Sequence, residues 1–214
     1  MNKKYIPGII GLIILIIASI YFTNKKTQVP VDIDTTVATT TVTVATSSIP
    51  APAVKVSLLD ATPYINNDFK FSLFLPKGWK QTASSPSTAP KSTTVFSNGS
   101  STIVVKKFPR TLESAKAISF MGENEFKKFI ADGLREEISG YQVIATSTVN
   151  IQGREYYKVI GSYTGKQSQK QVTQHVYVGL TEESYYVIGV DVYNELWAVN
   201  KDAISASLST LKLL

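Results

Sequence analysis

The sequence predicts an α+β domain, an antiparallel β-sheet flanked by helices in an αβα sandwich, behind an N-terminal transmembrane helix. Three observations predict it. Runs of period-two alternation, punctuated by turn residues, recur from Phe69 onward. Two stretches, 123–139 and 195–211, carry apolar residues at helical spacing instead. An uncharged apolar run, Ile6–Phe22, stands near the N-terminus.

Ile6–Phe22 is at the short end of the ~17–25 residues a helix needs to cross a ~30 Å hydrocarbon core. Lys3 and Lys4 precede it and Lys25 and Lys26 follow, so the lysines alone leave its orientation balanced. The N-terminal amine and the short basic tail tip it toward a cytoplasmic N-terminus. The run is longer than the usual h-region, and Ala18-Ser19-Ile20 is followed by bulky Tyr21 and Phe22 rather than a cleavage site. The expectation is an uncleaved signal-anchor: a single-pass cell-membrane protein, partnered with the lipid bilayer through Ile6–Phe22, with its C-terminal domain extracytoplasmic. Gly8 stands before the run as in pilins, but the run lacks their glutamate, which disfavours a pilin subunit.

The net charge of +6 says little about partners. Four of the 22 basic residues flank the apolar run, which leaves 18 against 16 acidic residues from Thr27 onward. That balance is no nucleic-acid footprint. The chain has no cysteine, which excludes a lipoprotein anchor, disulfides and thiolate chemistry. Stability outside the cell must then come from the core alone, which fits a bacterial surface protein.

Residues 1–26 form the cytoplasmic tip and anchor, 27–56 a linker and 57–214 the folded domain. The linker is rich in Thr, Val and Pro and lacks Leu and aromatics after Thr27. Its composition predicts an extended stalk, with a strand that docks on a partner sheet as the sharper alternative. Phe69, Phe71, Leu73 and Leu75 predict the first strand, ended by Pro76-Lys77-Gly78, with Trp79 as a core anchor. Thr82–Ser92 reads as a surface loop. Thr93–Ser97 and Thr102–Phe108 read as a hairpin about Asn98-Gly99. Thr111–Ser119 reads as a short helix or turn. Glu123–Ser139 is a helix with Phe126, Phe129, Ile130, Leu134 and Ile138 on one face, and Gly140 follows it as the expected C′ residue.

Four strands then form a meander: Tyr141–Ile151, Arg154–Tyr163, Val172–Leu180 and Tyr185–Tyr193, with turns at Gln152-Gly153, Thr164–Ser168 and Glu182-Glu183. Asn194 is the expected cap of a last helix, Glu195–Leu211, with the stripe Trp197, Ile204, Leu208 and Leu211. A two-residue turn at Glu182-Glu183 sets Gln174 opposite Asp191 and His175 opposite Val190. A turn widened to include Ser184 sets His175 opposite Asp191 instead, and one widened to include Thr181 sets it opposite Gly189. In the two-residue register both faces carry apolar residues, so the sheet is expected to be covered on both sides.

Chemistry-bearing residues are sparse. His175 is the lone histidine, and a lone strand histidine is ordinarily a packing residue. Without cysteine or a second histidine a zinc site is not expected. Glu182-Glu183 and Glu136-Glu137 read as solvated charge pairs. Asn66-Asn67-Asp68 lacks the alternation of a calcium loop. Neither a Gly-x-Ser-x-Gly elbow nor a phosphate loop occurs. Tyr156, Tyr157, Tyr163, Tyr177, Tyr185, Tyr186 and Tyr193 cluster in the meander; packing is their default role, and an exposed subset would make a glycan or peptide platform. No catalytic, cofactor-binding or metal-ligating residue is assigned, and no cofactor is expected.

Asp68-Phe69-Lys70-Phe71-Ser72-Leu73-Phe74-Leu75-Pro76-Lys77-Gly78-Trp79 resembles the opening strand of the PsbP-like fold, which ends in Pro and Trp. Gly153-Arg154-Glu155-Tyr156-Tyr157 is similar to that family's Gly-basic-x-Tyr-Tyr hairpin entry. The strand Tyr185–Val192 and helix Trp197–Leu211 also look similar, so the resemblance spans 57–214. It implies an antiparallel sheet with helices on both faces, in a family that includes bacterial membrane-associated proteins. No photosystem role, metal or binding residue is carried over from the plant proteins. The functional expectation is a membrane-anchored extracytoplasmic binding or scaffold module, not an enzyme, with a protein or envelope partner. The alternative is a cell-envelope hydrolase, whose best candidate residue is His175.

Overall fold

The computed structural model describes residues 58–85, 92–111, 118 and 121–214. The expected anchor at 1–26, the linker at 27–56 and most of the helix or turn at 111–119 lie outside the described residues. Among the described residues, no helix is long and apolar enough to cross a membrane.

Seven antiparallel strands form the main sheet, in the order β3 (Lys80–Ser85), β4 (Ser92–Ser97), β5 (Ser101–Pro109), β9 (Ser184–Tyr193), β8 (Gln171–Leu180), β7 (Arg154–Thr164) and β6 (Gln142–Ile151). Hairpins join neighbours along each half. The helix α1 (Glu123–Glu137) carries the chain from β5 to the far edge at β6. The last strand, β9, then closes the sheet between β5 and β8. A second helix, α2 (Asn194–Ser209), follows β9 directly. A small sheet, β1 (Tyr64–Asn66), β2 (Phe71–Leu73) and β10 (Lys212–Leu213), packs beside α2.

Each face of the main sheet has its own core. On one, Phe126, Ile130 and Leu134 of α1 and Ile138 just past its end pack on Val159, Val176, Val178, Tyr185 and Val187. On the other, Ile204, Leu208 and Leu211 join Phe69, Phe71, Leu73 and Trp79 over Ile103, Tyr177, Ile188 and Val190. Coverage on both faces agrees with the two-sided apolar pattern of β8 and β9. The hairpin β8–β9 takes the two-residue register, with Gln174 opposite Asp191 and His175 opposite Val190. At Gln152-Gly153 both residues have positive φ, 52° and 78°, which is the left-handed geometry of a tight hairpin turn.

Four expectations need correction. Phe69–Leu75 keeps its alternation in burial, but only Phe71–Leu73 is strand, because the chain turns at Lys70 (φ 55°). Lys80–Ser85, read partly as loop, is an edge strand; an edge tolerates the Ser/Thr content that obscured it. Asn194 does not cap α2. The N-cap is Tyr193, and Asn194 Oδ1 instead accepts a hydrogen bond from Thr173 Oγ1 at 2.7 Å. Gly140 lies one residue beyond the expected C′ position, with φ 75° in a turn closed by Tyr141 N–H donating to the Ile138 carbonyl.

Two glycines admit large rings to the sheet. Tyr141 lies over Gly161 on the α1 side, and Tyr156 lies over Gly179 on the α2 side. A Cβ on Gly179 would overlap the Tyr156 ring, which is fully buried and has nowhere to retreat. Gly179→Ala is therefore expected to lower stability by about 1–3 kcal/mol, read as a fall in thermal midpoint. Gly122→Ala, at a position with φ −62° and open space around it, is expected to leave the midpoint near wild type.

Candidate functional site

The pleat of β8 sends His175 and Gln174 to opposite faces. His175 points to the α2 side, where its ring lies 4.6 Å from that of Trp197. The register of β7 with β8 brings Lys158 opposite Tyr177 and Ile160 opposite His175. Lys158 Nζ lies 5.2 Å from the centroid of the Tyr177 ring, within cation–π range. His175, Trp197, Lys158 and Tyr177 thus make one patch beneath the first half of α2, toward the β6–β7 edge. Lys158, Ile160 and Trp197 are half-buried, so the patch reaches solvent.

Burial favours the uncharged forms of His175 and Lys158 in this patch. Burial lowers the His175 pKa to about 4, and the Lys158 ammonium lowers it further in the same direction. Burial also lowers the Lys158 pKa. The imidazole is uncharged near neutrality and meets the Trp197 ring at a tilt of 56°.

Gln174 and Asp191 face α1. Thr102, Asp191, Gln174 and Gly161 are directly opposed across β5, β9, β8 and β7. Gln174 Nε2 donates to Asp191 Oδ1 at 2.8 Å. The Tyr141 ring covers the end of this row, over Gly161. Burial pushes the Tyr141 phenol well up, and the Asp191 charge adds to the rise. Tyr141 Oη, Gln174 Oε1 and Thr102 Oγ1 are buried with no hydrogen-bond partner among the described residues. Gln174, Asp191 and Tyr141 are all buried, so the row pins the register of the central strands rather than presenting a surface.

The sheet therefore separates His175 from Asp191, and the carboxylate that one register offered the histidine bonds Gln174 instead. Glu182 and Glu183 sit exposed at the β8–β9 turn, where Glu183 pairs with Lys70 at 3.4 Å. Glu136 is exposed and Glu137 half-buried at the end of α1. Asn66 is structural: its Oδ1 accepts from Phe69 N–H at 2.9 Å and its Nδ2 donates to Thr94 Oγ1 at 3.2 Å. No group of three or more His, Cys, Asp or Glu among the described residues is placed to hold a metal.

The tyrosine platform is not formed. Tyr156, Tyr177, Tyr185 and Tyr186 are buried. Tyr157, Tyr163 and Tyr193 are half-buried, against Phe126, Tyr141 and the Lys170 ammonium respectively. Lys158 escaped the sequence reading because a single lysine between apolar residues carries no motif. The length of the β7–β8 loop would have found it: the loop spans 165–170, and counting back from it sets Lys158 against Tyr177.

Fold and patch together define a class, an αβα domain with a half-open aromatic and cationic surface on one face. The PsbP family model matches residues 60–213, and the chain belongs to the PsbP family. Solved structures to which the chain is similar include the cyanobacterial PsbP of Synechocystis sp. PCC 6803 (13% identity, 77% of this chain and 98% of that one, TM-score 0.48). They also include Mycobacterium tuberculosis LpqN, described as involved in cell envelope biogenesis (20% identity, 71% and 88%, TM-score 0.45). A third is a Mog1 mutant (13% identity, 71% and 95%, TM-score 0.47). No curated protein matches the chain.

The His175 environment gives a pH prediction. Its folded value of about 4 lies below the ordinary 6.5, so the unfolded chain takes up the proton first. The stability this group contributes is complete above about pH 6.5 and is lost as pH falls toward 4. His175→Phe, which keeps an aromatic ring against Trp197, is expected to flatten that part of a plot of thermal midpoint against pH. NMR titration should leave the wild-type imidazole neutral at pH 5.5.

Proposed function

We propose that this chain is a membrane-anchored binding or scaffold module, held outside the cytoplasmic membrane by Ile6–Phe22 and a Thr/Pro-rich stalk. The observation that carries the binding role is the patch of His175, Trp197, Lys158 and Tyr177: two aromatic rings, an uncharged imidazole and one partly desolvated cation, open toward a sheet edge. Such a surface suits a protein or envelope partner that offers an acidic group to Lys158 and apolar or ring surface to Trp197. The alternative reading is a cell-envelope hydrolase with His175 as its best candidate residue; His175 lies opposite Val190 and Asp191 bonds Gln174, so such a site would draw its carboxylate or nucleophile from elsewhere.

The anchored reading rests on the uncharged run, its flanking lysines and the N-terminal amine. Its test is protease accessibility. Protease added to intact cells is expected to remove the C-terminal domain and leave a short N-terminal fragment in the membrane. A domain protected until the membrane is opened would contradict the topology. The binding surface is tested by Lys158→Glu and Trp197→Ala in the full chain, with folding checked by thermal midpoint. Each is expected to lower capture of the partner by intact cells at least severalfold, whereas Glu136→Lys, on the opposite face, should leave capture unchanged.

A further inference from the structure

The helix α2 lies over β8 and β9 and leaves the neighbouring face of β7 and β6 half-open, as a shelf beside it. Register sets Gln142 opposite Ser162, Ala145 opposite Ile160 and Ser147 opposite Lys158 on this shelf. On β8 the same rows continue as Thr173, His175 and Tyr177. Alternation assigns these residues to the α2 side, because Tyr156 and Val149 of the same strands pack there, whereas Val159 and Val143 pack on the α1 side. Trp197 of α2, 4.6 Å from the His175 ring, forms the wall of the shelf.

Three properties of the shelf point to its occupant. The first is charge. Its rows hold one lysine and no acidic residue. Lys158 is half-buried, and its ammonium meets the Tyr177 ring and no carboxylate among the described residues. A partly desolvated cation without a counter-ion is matched by an anion from outside. The second is what surrounds that cation. Trp197 offers an aromatic face, Ala145 and Ile160 a small apolar floor, and Ser147, Ser162 and Gln142 neutral hydroxyl and amide groups. A pyranose presents the complement, an apolar C–H face with hydroxyls around its edge. The third is the backbone. The strand β7 is paired on both sides, with β6 and β8, so an extended peptide laid on the shelf finds no main-chain partner there. A sugar has no main-chain amides to satisfy.

We propose that this shelf binds an acidic carbohydrate, a uronic-acid residue whose carboxylate meets Lys158 while its ring lies against Trp197. The assignment names the ligand class of the binding role above. It rests on that role and not on the membrane topology.

The test is titration of the full chain, in a detergent without a sugar head group, with oligosaccharides of galacturonate, mannuronate and glucuronate. Trp79 is buried in the core and Trp197 is half-buried, so Trp197 carries the change in tryptophan fluorescence on binding. A saturable change is expected with at least one of the three, matched by calorimetry. Lys158→Gln is expected to weaken binding roughly tenfold, the loss of one charge-assisted contact, and methyl esterification of the sugar carboxylates to do the same. Lys128→Gln, exposed on α1, should leave it unchanged. Binding by none of the three, or binding that ignores both Lys158→Gln and esterification, overturns the proposal. Capture of an acidic peptide through Lys158 without sugar binding also overturns it, and leaves the binding role intact. The binding role itself fails only if Lys158→Glu and Trp197→Ala also leave capture by intact cells unchanged.

Discussion

Everything in this domain depends on burying β9 on both faces. Nine of its ten residues are buried, and it lies between strands from opposite halves of the chain, β5 and β8. A strand in that position needs a cover on each side. The helix α1 supplies one. The helix α2, Trp79 and the small β1–β2–β10 sheet supply the other. Because β9 is the last strand of the main sheet to appear, its closure completes the two halves together. The polar row Thr102–Asp191–Gln174 crosses this junction. Sliding β9 by one residue would turn Asp191 into the apolar layer beneath α2, which makes the buried hydrogen bond to Gln174 a register lock.

The same arrangement governs what chemistry is available. Alternation along β8 assigns His175 to one layer and Gln174 to the other, and no adjustment short of a register shift brings His175 to Asp191. The histidine is left among aromatic rings and beside a lysine, an environment that favours its neutral form. Lys158 and Trp197 keep part of their surface in solvent where α2 leaves the β6–β7 edge open.

How much of this was legible in the sequence follows from how local each signal is. The meander was legible because its turn residues divide the chain into strands, but at Glu182-Glu183 chain order left three registers open, and the structure takes the two-residue one. The α1 face was legible from its spacing, and Trp79 from its place after Pro76-Lys77-Gly78. The edge strand β3 was not, since Ser and Thr at an edge read like loop. The three-residue β1 and two-residue β10 are too short to carry periodicity. Lys158 was invisible because its partner Tyr177 lies on another strand and neither residue belongs to a motif. The packing role expected of the meander tyrosines is the one that Tyr156, Tyr177, Tyr185 and Tyr186 take.

The central claim is that this fold is displayed outside the membrane to hold a partner. Its most direct test is crosslinking of the full chain in its own cells with a reagent that does not cross the membrane, followed by identification of what is captured. The account predicts efficient labelling of the domain and capture of envelope or surface components, lost with Lys158→Glu. Labelling only after permeabilisation, with capture confined to cytoplasmic proteins, would contradict it.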